Sequence, residues 1–235
     1  MQRVLNSWAR TFYSRPILVC ILIITLFFSL KNRSNHRLLK TFPFYIASLI
    51  MVHLIGDLYF FLFDFETRKK NVRIDRLVDH FFTLIELCIF SDFFRKLIKS
   101  AFRGKIIKIL TGLFVLFFIL TIIKEPLIFR DISYRTLNIT YTIEAIILLI
   151  FCLLYYFELF KSPPVLVLLN EPSFWVSTGL FFFLSCTLPY SLLENYLVKN
   201  YFDLEIEFYA LFYIFYSLLS VMLIRAYLCK PVKTI

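Results

Sequence analysis

Two glutamates lie inside otherwise apolar stretches of the sequence. Glu86 lies at the middle of 74–98 and Glu144 near the middle of 134–158, each among Ile, Leu and Phe residues. A charge at the centre of a membrane helix costs about 2.5–3.5 kcal/mol on insertion scales. Such carboxyls either form a proton-linked or ligand-binding pair that faces a cavity, or are protonated and hydrogen-bonded to a neighbouring helix. The sequence leaves both interpretations open.

A histidine and an aspartate add a second candidate pair. His53 and Asp57 are four residues apart, so they share one face of a helix. Integral-membrane hydrolases of the ceramidase type are similar in using His-x-x-x-Asp, but they add a later His-x-x-x-His. This chain has only His36 and His80 besides, which would leave a catalytic zinc short of ligands. The pattern therefore favours a hydrogen bond that holds this helix to its neighbours.

The candidate site is thus a ligand-binding one, formed by Glu86, Glu144, Asp57 and His53. No residue is assigned a catalytic role, and no cofactor or metal is predicted. The five cysteines are not paired at a metal-ligand spacing. The last apolar block has no Lys before Lys230, which excludes a retinal Schiff base.

The elements that carry these residues are predicted to be membrane-spanning helices. Hydrophobic residues make up 60% of the 235 residues and charged residues 18%, against about half and about a quarter in soluble domains. A span needs roughly 20 apolar residues, so we expect an all-α, polytopic transmembrane bundle that forms one integral membrane domain over 1–235. The seven predicted spans are 16–31, 42–64, 74–98, 106–123, 134–158, 173–194 and 204–228.

The connections between the spans are polar and mostly basic. The segments 66–73 and 124–135 are predicted loops, and 94–108 carries six Lys or Arg residues. The net charge of +10 suits anionic lipid headgroups rather than nucleic acid, because the basic residues lie at span ends. Slightly more of them lie on the side of the C-terminus, which predicts an external N-terminus and an internal C-terminus.

Several stretches resemble a known group of proteins. They are LIELCIFSDFFRKLI at 84–98, ITYTIEAIILL at 139–149, NEPSFWVSTGLFFF at 170–183 and LIRAYLCK at 223–230. With them the chain resembles small bacterial seven-helix membrane proteins of unassigned function, which are similar to the membrane half of seven-helix sensory receptors. The resemblance implies seven spans in a bacterial inner membrane and names no substrate.

The sequence therefore favours a non-enzymatic membrane protein, a sensory, regulatory or ligand-binding module with an intramembrane acidic cavity. Its predicted partners are the lipid bilayer and a protein on the internal face that contacts 94–108. One alternative is a membrane enzyme that acts on lipids, with Glu86 or Glu144 as general acid or base beside His53. Another is a small transporter, although the sequence shows no inverted repeat.

Overall fold

The protein is all-α. A computed structural model describes residues 2–33, 37–62, 65–128, 134–161 and 168–229. These residues form seven α-helices and two short 3-10 turns, and no strand occurs among them. The helices are α1 (Gln2–Lys31), α2 (Phe42–Leu62), α3 (Phe65–Leu97), α4 (Ala101–Ile128), α5 (Tyr134–Lys161), α6 (Pro172–Asn200) and α7 (Phe202–Leu228). The predicted fold class is confirmed.

Four helices identify a membrane protein by their length and composition. Among the described residues, the segments apolar and long enough to cross a bilayer are Ala101–Ile123, Ile139–Lys161, Pro172–Glu194 and Leu211–Leu228. Shorter apolar segments are Pro16–Lys31 in α1 and Phe42–Ile55 in α2. The outer face of α4 fits this environment, because Leu113, Leu116 and Ile123 are each more than half exposed.

The predicted loop at 66–73 is wrong, and the one at 124–135 is wrong in part, since 124–128 and 134–135 are helical and 129–133 lie outside the described residues. The segment 66–73 is helical, because α3 already begins at Phe65. Its Glu, Arg and Lys residues are good helix formers, and α3 contains no Gly or Pro to end it. Its 33 residues span roughly 50 Å, well beyond the ~30 Å apolar core of a bilayer. The segment 124–135 is also helical as far as Ile128, and Pro126 falls in the last turn of α4.

The helices form a closed ring in sequence order. Each packs against the next along the chain, α1 packs against α7, and α3 also packs against α5. One end of this ring brings together the C-terminal ends of α1, α3, α5 and α7 with the starts of α2, α4 and α6. We call it the C-terminal end. There, Arg103 of α4 lies 2.7 Å from Glu158 of α5, and the Tyr227 hydroxyl of α7 donates to the Leu39 carbonyl at 2.9 Å.

Among the three glycines whose surroundings the structure describes, the one at a close helix contact is Gly179, between α6 and α7. A Cβ atom added at Gly179 would lie 2.9 Å from Cβ of Met222 and 3.2 Å from Cδ1 of Leu219. The first of these atoms is fixed to the backbone and cannot swing away. By contrast, no atom lies within 4 Å of a Cβ added at Gly112 in α4.

We expect Gly179→Ala to lower the thermal stability in detergent, because overpacking costs about 1–3 kcal/mol and outweighs the better helix propensity of Ala. Gly112→Ala is the matched control and should be neutral or stabilising by up to about 1 kcal/mol. Thermal unfolding of both variants checks this. Equal midpoints for the two would contradict the close α6–α7 packing.

Candidate functional site

Glu86 is buried in the middle of the ring and accepts a hydrogen bond from α2. Its side chain is 4% exposed. The hydroxyl of Tyr45 donates to Oε1 of Glu86 at 3.0 Å. Tyr45 is itself fully buried, and its ring stacks on Phe82 and meets Phe90 edge-on. The aromatic rings hold the Tyr45 hydroxyl in place, and the Glu86 carboxyl accepts its hydrogen bond.

A second tyrosine extends this contact to α7. The hydroxyl oxygens of Tyr45 and Tyr216 are 3.0 Å apart. A phenol has one proton to donate. Because Tyr45 donates that proton to Glu86, Tyr216 must donate to Tyr45. The result is a buried hydrogen-bond chain from α7 through α2 to α3, with Glu86 as the final acceptor.

Glu144 lies beside this chain on α5. Its side chain is 1% exposed. Helices α3 and α5 run in the same direction and pack against each other, and the rings of Phe94 and Phe151 are 6.1 Å apart. Glu86 and Glu144 each lie about two turns before one of these rings, so the two carboxyls lie at about the same depth and interact electrostatically. The Oε1 atom of Glu144 has no hydrogen-bond partner within the described part of the chain. The structure thus brings the two predicted glutamates together, although nothing in their sequence separation required it.

Hydroxyl groups and aromatic rings surround the two carboxyls. Tyr141, one turn before Glu144, interacts electrostatically with both glutamates. Its hydroxyl lies 3.4 Å from Oγ1 of Thr187 on α6. The ring of Phe183 on α6 packs edge-on against Tyr216 at 4.6 Å. Helices α2, α3, α5, α6 and α7 therefore all contribute to the site.

Of the other two predicted site residues, the structure describes the side chain of His53 but not that of Asp57. The His53 ring lies 6.2 Å from the ring of Tyr213 and 6.5 Å from that of Tyr216, which places it at the edge of the cluster. Asp57 lies in α2, but its side chain is outside the described part of the structure. Its role in the site therefore stays a prediction, as does the His53–Asp57 hydrogen bond.

The site depends on two residues that the sequence analysis did not single out. Tyr45 and Tyr216 are two of 14 tyrosines, and tyrosines are common where membrane helices meet the headgroups. The available signal was their place in apolar helices, Tyr45 in the first turn of α2 and Tyr216 near the middle of α7, where a phenol hydroxyl needs a partner. Identifying that partner as Glu86 required the arrangement of the helices.

No basic side chain faces the two glutamates among the described residues. Every Lys and Arg with a described side chain lies at or near the C-terminal end: Lys31, Arg33, Lys40, Arg95, Lys96, Lys99, Arg103, Lys105, Lys108, Lys161 and Arg225. Several are engaged there, as Arg103 is with Glu158 and as Arg225 is with the Trp175 ring at 5.5 Å. The carboxyls thus have no described fixed counter-ion at their own depth.

Comparisons with known proteins find no relative. No protein-family model, no curated protein and no solved structure matches this chain. Among the described residues, no group of three or more His, Cys, Asp or Glu side chains could hold a metal ion. The lipid-acting enzyme and the small transporter stay predictions from the sequence.

We expect the tyrosine chain and Glu144 to differ in their effect on stability. Tyr45→Phe removes the bonds to Glu86 and Tyr216 and should lower stability by about 1 kcal/mol, within the range measured for hydrogen bonds between membrane helices. Glu144→Gln breaks no bond to Oε1 and removes an ionisable group, so stability should stay unchanged or rise. Thermal unfolding in detergent with choline chloride as the only salt checks both.

Tyr201→Phe is the control for this comparison, because Tyr201 is more than half exposed. A Tyr45→Phe variant as stable as Tyr201→Phe would mean that the chain contributes nothing to stability. A marked loss in Glu144→Gln would mean that this carboxyl is a structural hydrogen-bonding group.

Proposed function

We propose that this protein is a non-enzymatic, multi-pass membrane module with a sensory or regulatory function, and that Glu86 and Glu144 form its intramembrane binding site. One observation carries the proposal. Glu86 accepts a hydrogen bond from Tyr45 of α2, which accepts one from Tyr216 of α7, and Glu86 interacts electrostatically with Glu144 of α5, whose Oε1 is unpaired among the described residues. A change in charge or occupancy at this site therefore acts on four helices together.

The route from the site to the surface runs along α3. Glu86 and the last residue of the helix, Leu97, are separated by about three turns, or roughly 16 Å. The final turns carry Asp92, which pairs with Arg95 and Lys96. The chain then enters the short connection to α4. A shift of α3 relative to α2 would move this basic corner of the C-terminal end.

In this proposal α1, α2 and α3 cross the membrane together with the four long apolar helices, which gives seven spans. The N-terminus is outside and the C-terminus inside. The basic residues of the C-terminal end support this orientation, because positive charge is enriched on the cytoplasmic side of membrane proteins. The segment 94–108 would then meet both the inner leaflet and a partner protein.

Coupling between the site and the surface can be measured with spin labels at Lys99→Cys and Leu169→Cys, both at exposed positions of the C-terminal end. The exposed Cys20, Cys88 and Cys186 would first be replaced by Ala. We expect Glu86→Gln and Tyr45→Phe to shift the label-to-label distance distribution, because each weakens the connection of α3 to α2 and α7. Double electron–electron resonance in nanodiscs measures this shift.

Tyr156→Phe is the matched control for the label experiment. It loses one partly buried phenol hydrogen bond, to Thr178 at 3.0 Å, at the α5–α6 contact outside the site. Its distance distribution should match that of the parent. Identical distributions for parent, Glu86→Gln and Tyr45→Phe would contradict the coupling and with it the sensory assignment.

The partner can be tested through the lysines of 94–108 that have no described acidic partner. Replacing Lys99, Lys105 and Lys108 by Gln leaves the Arg103–Glu158 pair intact. We expect this variant to lose the cross-linked protein species that wild type gives in intact membranes, because the docking surface loses three charges. Replacing Lys31, Lys40 and Lys161 at the same end is the control. Retention of every cross-linked species by the first variant would exclude docking through 94–108.

A further inference from the structure

The two buried carboxyls are not equally satisfied. Glu86 is the end point of two phenol donors in series, Tyr216 and then Tyr45. A hydrogen bond donated to a carboxylate stabilises its charged form, and Tyr45 donates one to Glu86 while it accepts one from Tyr216. The protein therefore provides for one negative charge at Glu86 with its own groups.

Glu144 has no comparable provision. Its Oε1 atom is buried and lacks a hydrogen-bond partner among the described residues. A proton on Oε1 would place an O–H donor where no acceptor is found, and a proton on the other oxygen would leave Oε1 an unsatisfied acceptor. A buried polar atom without a partner costs free energy. This oxygen is therefore suited to bind a cation, which accepts an electron pair from it.

The described groups that interact electrostatically with the pair are phenol hydroxyls and a thiol. Tyr141, Tyr216 and Cys88 interact electrostatically with Glu144. Buried threonines lie one turn before each glutamate, Thr83 on α3 and Thr140 on α5. Hydroxyl and carboxylate oxygens are the ligands that hard cations prefer.

We propose that Glu86 and Glu144 bind one sodium-sized monovalent cation, with hydroxyl oxygens of Thr83 and Thr140 as further ligands. The cation balances the charge of Glu144, while the tyrosine chain stabilises that of Glu86. One positive charge is enough because only one of the carboxylates lacks donors. This inference deepens the proposed function, since it names the ligand of that same site.

The test uses purified full-length protein in detergent at pH 8 and constant ionic strength, with NaCl exchanged for choline chloride. We expect Na⁺ to raise the unfolding midpoint with saturation, by about 3–6 °C at 100 mM if half-saturation lies near 10 mM. Equilibrium binding of ²²Na⁺ should give one site per chain. Excess NaCl should displace the label, and choline chloride should not.

Variants assign the site. Glu144→Gln should abolish both the midpoint shift and ²²Na⁺ binding, and Thr140→Val should weaken binding several-fold. Asp92→Asn is the control, because Asp92 is an acid of α3 that pairs with Arg95 and Lys96 at the helix end, and it should keep the full response. If Glu144→Gln does not fold, the proposal is decided by comparing ²²Na⁺ binding to wild type with ²²Na⁺ binding to Thr140→Val.

Three results would overturn the proposal. One is a midpoint that responds equally to Na⁺ and choline. Another is a midpoint that depends on pH through Glu144 but not on Na⁺, which would make the ligand a proton. The last is a Na⁺ response that persists in Glu144→Gln. If the protein does not bind Na⁺ but the spin labels still respond to Glu86→Gln and Tyr45→Phe, the proposed function stands and only the cation is refuted. If the protein binds Na⁺ but the spin labels do not respond, only the proposed function is refuted.

Discussion

A carboxyl buried in an apolar bundle has to find hydrogen-bond donors, and this requirement shapes the centre of the protein. Transfer of an ionised carboxylate out of water costs far more than a single apolar contact returns. Glu86 meets the requirement through Tyr45, and Tyr45 through Tyr216. Three helices from distant parts of the chain are therefore held in one register by two hydrogen bonds, while aromatic packing around Tyr45 keeps water away.

The C-terminal end is held together differently. Besides the neutral bond from Tyr227 to Leu39, its contacts include charged and cation–π pairs, such as Arg103 with Glu158 and Arg225 with Trp175. Such contacts are partly hydrated and adjust at low cost. The centre of the bundle is thus specific and the end adaptable, as a protein needs if an event at a buried site is to change a surface that others contact.

The helices also differ in how much of their surface is covered by neighbouring helices. Helix α4 exposes much of its apolar surface and packs against only α3 and α5 among the described helices. Helix α3 has neighbours on three sides, since it packs against α2, α4 and α5. A helix in that position carries the glutamate on which the hydrogen-bond chain ends, and it leads directly into the basic segment 94–108.

The sequence by itself determined the class of this protein, because blocks of roughly 20 apolar residues are long enough to cross a bilayer as helices, which satisfy their own backbone hydrogen bonds. It also singled out Glu86 and Glu144, since acids in such blocks are expensive. It misjudged 66–73, where charged residues suggested a loop although nothing in the segment ends a helix. The tertiary structure decided that α1 closes the ring against α7 and that Glu86 and Glu144 interact. It also decided that Tyr216 donates to Tyr45 and Tyr45 to Glu86. These are contacts between residues far apart in the chain, and short-range patterns of residue type carry no record of which helix faces which.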